Sequence, residues 1–280
     1  MSNFHGDDVP ASPAEKAFFH VIPVPYERSV SYGHGTALGP QAILEASGQL
    51  ELFDGRGVPA DRGIFTAPPV DCDGAPEQVL ARVEEAVAQA LRLGGLPVVL
   101  GGEHSLSSAV AKALAAHHGR IGVVQFDAHA DLRNSYEGSI WSHASVMRRI
   151  HDMGIPIFQI GTRSYCLEER NLREADGIPY VDAERLAAEG LDSVRLPEDF
   201  PQNIFISFDI DALDGAVMPA TGTPVPGGLS WYQALWLLRR ICAERRCVGF
   251  DVVEFAPIEG FHAFDFAAAQ LVYNMMGCVR

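Results

Sequence analysis

Positive charge is scarce in this 280-residue chain: 21 Lys and Arg stand against 36 Asp and Glu, a formal net charge of −15. That deficit excludes the basic footprint on which nucleic-acid binding depends. Long apolar runs are missing too. None reaches the ~18 consecutive apolar residues expected of a membrane-spanning helix, and Met1 to Pro13 lack the basic and apolar regions of a secretory leader. A soluble, cytoplasmic protein with neither nucleic acid nor membrane as partner is expected. The five cysteines, Cys72, Cys166, Cys242, Cys247 and Cys278, are odd in number, scattered and free of C-x-x-C spacing. They read as reduced small hydrophobes without chemistry of their own. Internal repeats and low-complexity segments are absent as well.

What is present is apolar, at 48% of the residues, in a chain long enough for one large domain with a sizeable core. Residues 1–16 carry Gly6, Pro10 and Pro13 with little periodicity and are expected to form a loose tail, leaving 17–280 as the single domain. Phe18 to Val24 reads as a first strand. A loop through Tyr32-Gly33-His34-Gly35 follows, with His34 expected to be structural or exposed, and then a helix opening at Gly39-Pro40, where proline has no N–H to lose. From Pro76 to Leu93 apolar residues recur at helical spacing until Gly94-Gly95 end the run. A strand from Val98, a helix over 105–117 and a strand from Gly122 continue the pattern. Such α-β-α-β alternation predicts an α/β fold with a parallel sheet and helices on both faces. Further strands are expected at 157–160, 178–181, 204–208 and 247–253, a helix from about Ser142, and others at 231–244 and 264–276. The Gly-, Pro- and Thr-rich stretch 213–229 reads as a site-lining loop.

Three of the predicted strands end in the same manner. Val123-Val124-Gln125-Phe126 runs into Asp127-Ala128-His129-Ala130-Asp131; Ile204 to Phe208 runs into Asp209-Ile210-Asp211; Val98 to Leu100 breaks on Gly101-Gly102 and presents Glu103-His104-Ser105. In extended backbone alternate residues share a direction, so a spacing of two aims side chains at one locus. Ligands in open α/β sheets collect beyond the carboxyl ends of the strands. Singly, each stretch has an ordinary explanation, a solvated turn or a helix cap. Together they would gather four aspartates and two histidines, a costly set of buried charges unless cations neutralise it.

An oxygen-rich site with imidazoles suits Mn²⁺ or a related divalent ion better than structural zinc, whose closed sites favour thiolates. Six ligands exceed what one open catalytic ion takes from protein, so two ions sharing bridging aspartates are the economical reading. A pair about 3.5–4 Å apart acidifies a bridging water and holds it as a nucleophile at neutral pH. The reaction class expected is metal-assisted hydrolysis or transfer of an amidine to water.

The same three stretches, read as Gly101-Gly102-Glu103-His104-Ser105, Asp127-Ala128-His129-Ala130-Asp131 and Ser207-Phe208-Asp209-Ile210-Asp211-Ala212-Leu213-Asp214, resemble in order and spacing the signatures of the arginase/agmatinase (ureohydrolase) family. The resemblance runs from about Val24 to the C-terminus. Leu132-Arg133, Tyr136-Glu137-Gly138, Ser142-His143-Ala144-Ser145 and Met147-Arg148-Arg149 are similar to the agmatinase branch. The resemblance implies a three-layer α/β/α fold with a mostly parallel sheet, two Mn²⁺ per subunit, and a homotrimer or homohexamer. It implies cleavage of a small cationic guanidino substrate to urea and an amine, foremost agmatine to putrescine in polyamine biosynthesis. Carried over by motif, His104, Asp127, Asp131 and Asp209 would hold one ion and Asp127, His129, Asp209 and Asp211 the other. Asp127 and Asp209 would bridge. Asp131 would also pass a proton to the departing amine, His143 would shuttle protons, and Glu254 would grip the guanidinium.

Two positions depart from the family pattern. Leu44 stands where arginine is usual, and Pro219-Ala220-Thr221-Gly222 reads like arginase where agmatinases carry Pro-Gly-Thr-Gly. The asparagine-containing loop with which arginases hold an α-amino acid is replaced by Arg133-Asn134, which favours agmatine. Arg133 could equally hold a carboxylate, so guanidinobutyrate and other guanidino acids stay open, followed by arginine. Two other classes are weighed: a metallophosphoesterase, for which neither G-D-x-x-D nor G-N-H-D is found, and a catalytically silent metal-binding relative, against which all six ligands speak.

Overall fold

The computed structural model describes residues 3–6 and 9–279. Among these residues eight strands follow one another: β1 Phe19–Val24, β2 Ile64–Thr66, β3 Leu96–Gly101, β4 Ile121–Phe126, β5 Ile157–Ile160, β6 Tyr180–Val181, β7 Asn203–Asp209 and β8 Arg246–Val253. They form one sheet in the order β2-β1-β3-β8-β7-β4-β5-β6, and every neighbouring pair is parallel. Among the described residues the α-helices are α1 Gly39–Ser47, α2 Pro76–Arg92, α3 Ser107–His118, α4 Val146–Asp152, α5 Leu167–Ala175, α6 Ala183–Glu189, α7 Trp231–Glu244 and α8 His262–Cys278.

Strand periodicity divides the core into two. Phe19 and Val21 of β1, Val124 and Phe126 of β4, and Ile204 and Ile206 of β7 join a cluster with Ile43 of α1, Leu237 of α7 and Leu271 of α8. Their strand neighbours Ile22, Val123 and Phe205 point the other way, onto Val83 of α2, Val110 of α3 and Met147 of α4. A sheet covered on both faces leaves its central strands fully apolar, which is why they read as continuous runs. The result is the three-layer α/β/α arrangement expected. No helix among the described residues is long and apolar enough to cross a membrane.

Residues 3–6 depart from the loose tail expected over 1–16. Phe4 and His5 are buried: the Phe4 N–H donates to Thr66 Oγ1 at 3.0 Å, the His5 N–H to Ser47 Oγ at 2.9 Å, and the His5 ring meets Tyr273 edge-on at 4.3 Å. Burial of two aromatic rings and two backbone hydrogen bonds offset the freedom lost in ordering the segment. Met1, Ser2, Asp7, Asp8 and Arg280 lie outside the described residues.

Candidate metal centre

The carboxyl ends of β3, β8, β7 and β4 lie side by side at the middle of the sheet. At the end of β3 the backbone passes so close to Tyr26 that a Cβ on Gly102 would stand 2.0 Å from the Tyr26 carbonyl oxygen. Only glycine permits that approach. The turn delivers His104, whose N–H donates to Glu254 Oε1 at 2.6 Å, while the Glu254 N–H donates back to Gly102 O at 2.8 Å. Glu254 is held at φ 61° and Asp131 at φ 53°, a left-handed conformation rare for residues with side chains and concentrated at functional sites. The Asp131 carbonyl accepts the Met147 and Arg148 N–H groups at 3.0 and 3.2 Å, opening α4 and fixing that turn.

His104 Nδ1 lies 3.2 Å from Asp127 Oδ2, 3.0 Å from Asp131 Oδ2 and 3.4 Å from Asp209 Oδ2, all on buried side chains. It nonetheless makes no hydrogen bond among the described residues. A buried nitrogen ringed by carboxylate oxygens without donating to any of them is what ligands around a shared cation look like. His129 Nδ1 stands 3.0 Å from Asp211 Oδ2 and 3.5 Å from Asp127 Oδ1. The ligand atoms of His104, Asp127 and Asp209 fall within 4.8 Å of one another, as do those of Asp127, His129 and Asp211, so two three-residue groups share Asp127. The donor set, aspartate oxygen with imidazole nitrogen, fits divalent ions.

Proton affinities describe the same crowding. Burial drives Asp209 well above the carboxylate range and Asp131 up to about 7, with Asp211 and Asp127 adding to the first and Asp127 to the second. Burial also lifts Glu254 well above its ordinary value, and Glu103 nearby adds to the rise. For His129 burial works against the charge, yet Asp211 and Asp127 carry it up to about 12; His104 is raised in the same sense by Asp127, Asp131 and Asp209. Asp127 falls below the carboxylate range despite its burial because both imidazoles face it. Without cations the cluster must recruit protons, and a metal would release them.

A shell of buried polar groups orients the ligands. Ser207 Oγ stands 2.9 Å from His104 Nε2 and donates to Asp251 Oδ1 at 2.9 Å. Gln159 Nε2 donates to Gln125 Oε1 at 2.5 Å, and Gln125 Nε2 to Asp127 Oδ2 at 2.7 Å. Asp211 Oδ1 accepts the Ala128 N–H at 3.0 Å, tying the end of β7 to that of β4. Arg163 Nη2 binds the carbonyls of Asp211 at 2.7 Å and Val225 at 2.7 Å, and Asp214 Oδ2 accepts the Gly227 and Gly228 N–H groups at 2.7 and 3.0 Å. Together these pin the 213–229 loop beside the cluster. The sequence motifs include Ser207, Asp211 and Asp214 but assign no supporting contact to any of these residues, and Gln125, Gln159, Arg163 and Asp251 carry no expected role. The available signal was polar residues inside apolar strands: Gln125, Gln159, Ser207 and Asp251 are each buried, and buried polar groups are paired.

All eight residues singled out from the motifs meet at this edge of the sheet. His129, Asp131 and half-buried His143 line a cavity of about 260 Å³ together with Arg133, Tyr136 and Thr223. Glu254 reaches the cluster through the His104 N–H. Burial lowers the His143 pKa, with Glu103 pulling the other way. A larger depression of about 480 Å³ between α2, α3 and α4 contains none of these residues. His34 is exposed and lies 3.3 Å from Glu27.

A parallel α/β sheet with a buried aspartate–imidazole cluster at its carboxyl edge defines a metal-dependent enzyme. The model of the Arginase family matches residues 17–278, and the chain belongs to that family of ureohydrolases. It is 39% identical to an N(1)-aminopropylagmatine ureohydrolase of Thermus thermophilus, over 95% of this chain and 92% of the relative. It is 31% identical to the agmatinase of Pyrococcus horikoshii, over 96% and 95%. The crystal structure of the agmatine ureohydrolase of Thermoplasma volcanium superposes with a TM-score of 0.85 at 29% identity, covering 99% of this chain and 94% of that one.

Proposed function

We propose that this chain hydrolyses a linear guanidinoalkylamine, agmatine or its N(1)-aminopropyl derivative, to urea and the corresponding amine. His104, Asp127, Asp131 and Asp209 would hold one Mn²⁺, and Asp127, His129, Asp209 and Asp211 a second. The observation that carries this reading is the non-hydrogen-bonded His104 Nδ1 among three carboxylates, 2.6 Å from whose own N–H sits the Glu254 carboxylate. Two divalent ions bound there supply a water acidic enough to attack at neutral pH.

The chain's own groups do the rest. Glu254 has one oxygen committed to His104, and the other receives the planar guanidinium in a charge-assisted hydrogen bond. The water oxygen forms the new bond to the guanidinium carbon. The bond from that carbon to the alkylamine nitrogen breaks with its electron pair leaving on nitrogen, and a proton given up by the attacking water reaches that nitrogen through the Asp131 carboxylate. His143 Nε2 moves protons between solvent and the site. Arg133 bears on the choice of tail. Its Nε lies 4.0 Å from Glu169 Oε2 and its guanidinium 5.1 Å from the Tyr136 ring centroid, contacts that leave it on the cavity wall and able to meet a substrate carboxylate. The guanidinoalkylamines are preferred over guanidino acids and arginine because the similar proteins include an agmatinase and an N(1)-aminopropylagmatine ureohydrolase. A cytoplasmic homotrimer or homohexamer serving polyamine synthesis completes the reading.

The test is urea release from agmatine, N(1)-aminopropylagmatine, 4-guanidinobutyrate, arginine and guanidine with the manganese-loaded enzyme. A kcat/KM highest for one of the first two is expected. Highest activity on guanidinobutyrate would reverse the choice of tail, and no urea from any of them would leave a silent relative.

A further inference from the structure

His143 is a useful proton carrier only if its free ring nitrogen is the one that faces the chemistry, and the groups behind the ring decide which nitrogen that is. Glu103 is fully buried and accepts the N–H groups of Arg28 and Ser29 on Oε2 and the hydroxyls of Ser29, at 2.8 Å, and Ser105 on Oε1. Four donors converge on one carboxylate, which has none to offer in return. Ser29 has a single hydroxyl proton, and Glu103 takes it. The lone pairs of Ser29 Oγ are then left for donors, and two groups of His143 lie against them: the backbone N–H at 2.9 Å and ring Nδ1 at 3.2 Å.

From this we infer that Glu103 and Ser29 are positioning residues that hold His143 in its Nδ1–H tautomer. The inference rests on the proton-moving part proposed above for His143. Nδ1 donates to Ser29 Oγ, and Nε2, on the far side of the ring, is the atom that takes up and releases a proton. Glu103 acts at one remove: by claiming the serine proton it denies Ser29 the alternative of donating to Nδ1. The competing contact is longer: Ser142 Oγ, which accepts the Ala144 N–H at 3.3 Å and still has its own proton to offer, stands 3.4 Å from Nδ1, beyond the 3.2 Å of Ser29 Oγ. Sequence distance hides the device. Ser29 lies in the loop after β1, Glu103 after β3 and His143 before α4.

The tautomer is read from ring ¹⁵N chemical shifts and two-bond couplings in enzyme loaded with zinc, a diamagnetic ion, the His143 signals being assigned by their loss in His143→Gln. Nδ1 protonation is expected in the wild type. In Ser29→Ala the ring should redistribute toward Nε2–H, and kcat of the manganese enzyme should fall about ten- to a hundredfold with KM and metal content unchanged. Ser29→Thr, which restores the hydroxyl, should recover kcat to within a few-fold. An Nε2–H wild type, or an unchanged His143 spectrum and kcat in Ser29→Ala, would overturn the inference. Full activity in His143→Gln would instead remove the histidine from the reaction, and the spectra alone would then judge the tautomer.

Discussion

The hydroxyl of Ser207 lies 2.9 Å from Nε2 of His104, on the opposite edge of the ring from the carboxylates. It passes its own proton to Asp251, whose other oxygen accepts the Ser107 hydroxyl at 2.5 Å. The His104 ring is thereby locked with Nδ1 turned to the carboxylates and open to a cation, since a hydrogen bond on one ring nitrogen sets the orientation of the other in metal sites.

Ser207→Ala should therefore weaken metal binding by about 10–100-fold. It strands His104 Nε2 in the core, at roughly 1–3 kcal/mol for an unsatisfied buried group, while Asp251 Oδ1 keeps the Phe208 N–H at 3.2 Å. Manganese titration calorimetry and a thermal melt measure the two effects separately. Wild-type affinity in the variant would remove Ser207 from the site's support.

Gly102→Ala should be far more damaging than a methyl group suggests. The Tyr26 carbonyl that its Cβ would meet is backbone and cannot turn aside. Overpacking of this kind costs roughly 1–3 kcal/mol or more, and the displaced segment carries His104. Metal content after equilibrium dialysis should fall together with melting temperature. A well-folded, fully loaded variant would mean the turn has slack.

Arg163 donates to the carbonyls of Gly161, Asp211 and Val225, at 3.1, 2.7 and 2.7 Å. Arg163→Met removes that charged donor from all three carbonyls. Each such bond is worth about 1.5–3 kcal/mol. Limited proteolysis should reveal new cleavage between residues 214 and 228, and kcat should drop. Unaltered protease resistance would show the loop held by Asp214 alone.

His20 gives a pH dependence of stability. Its ring is buried, packed where Gly95 leaves no Cβ, with Nε2 free of hydrogen-bond partners among the described residues. Burial holds its pKa below the ordinary imidazole value, against opposing backbone contacts from Ala14 and Ala17. Between the lowered folded value and about 6.5 the unfolded chain binds more protons. Stability thus declines as pH falls from about 6.5 through the folded pKa, and levels off below it. His20→Gln should lessen that decline, so the difference in melting temperature between variant and wild type should move in the variant's favour on going from pH 7.5 to 5. A pH-independent difference would assign no titration to His20.

The central strands and the ligands at their ends were legible because burial on both sheet faces writes apolar runs, and spacing by two writes a shared direction. β1, β3, β4, β7 and β8 and the helices α2, α3, α7 and α8 fall where periodicity puts them, within a few residues. What the sequence hid was short or distributed. β2 is three residues at the sheet edge, and α5 and α6 are nine and seven residues long with few buried side chains between them. Phe4 and His5 find their partners, Thr66, Ser47 and Tyr273, far along the chain. The Ser207–Asp251 and Gln159–Gln125–Asp127 contacts join different strands, and a pattern read along one strand cannot register its neighbour.

The most direct test is anomalous diffraction from crystals of the manganese-grown protein, recorded at the metal edge. Two peaks about 3.5–4 Å apart, flanked by His104 on one side and His129 on the other with Asp127 between, are expected. A single peak in fully active protein, or two peaks without a common aspartate, would contradict the shared-cation reading of the cluster.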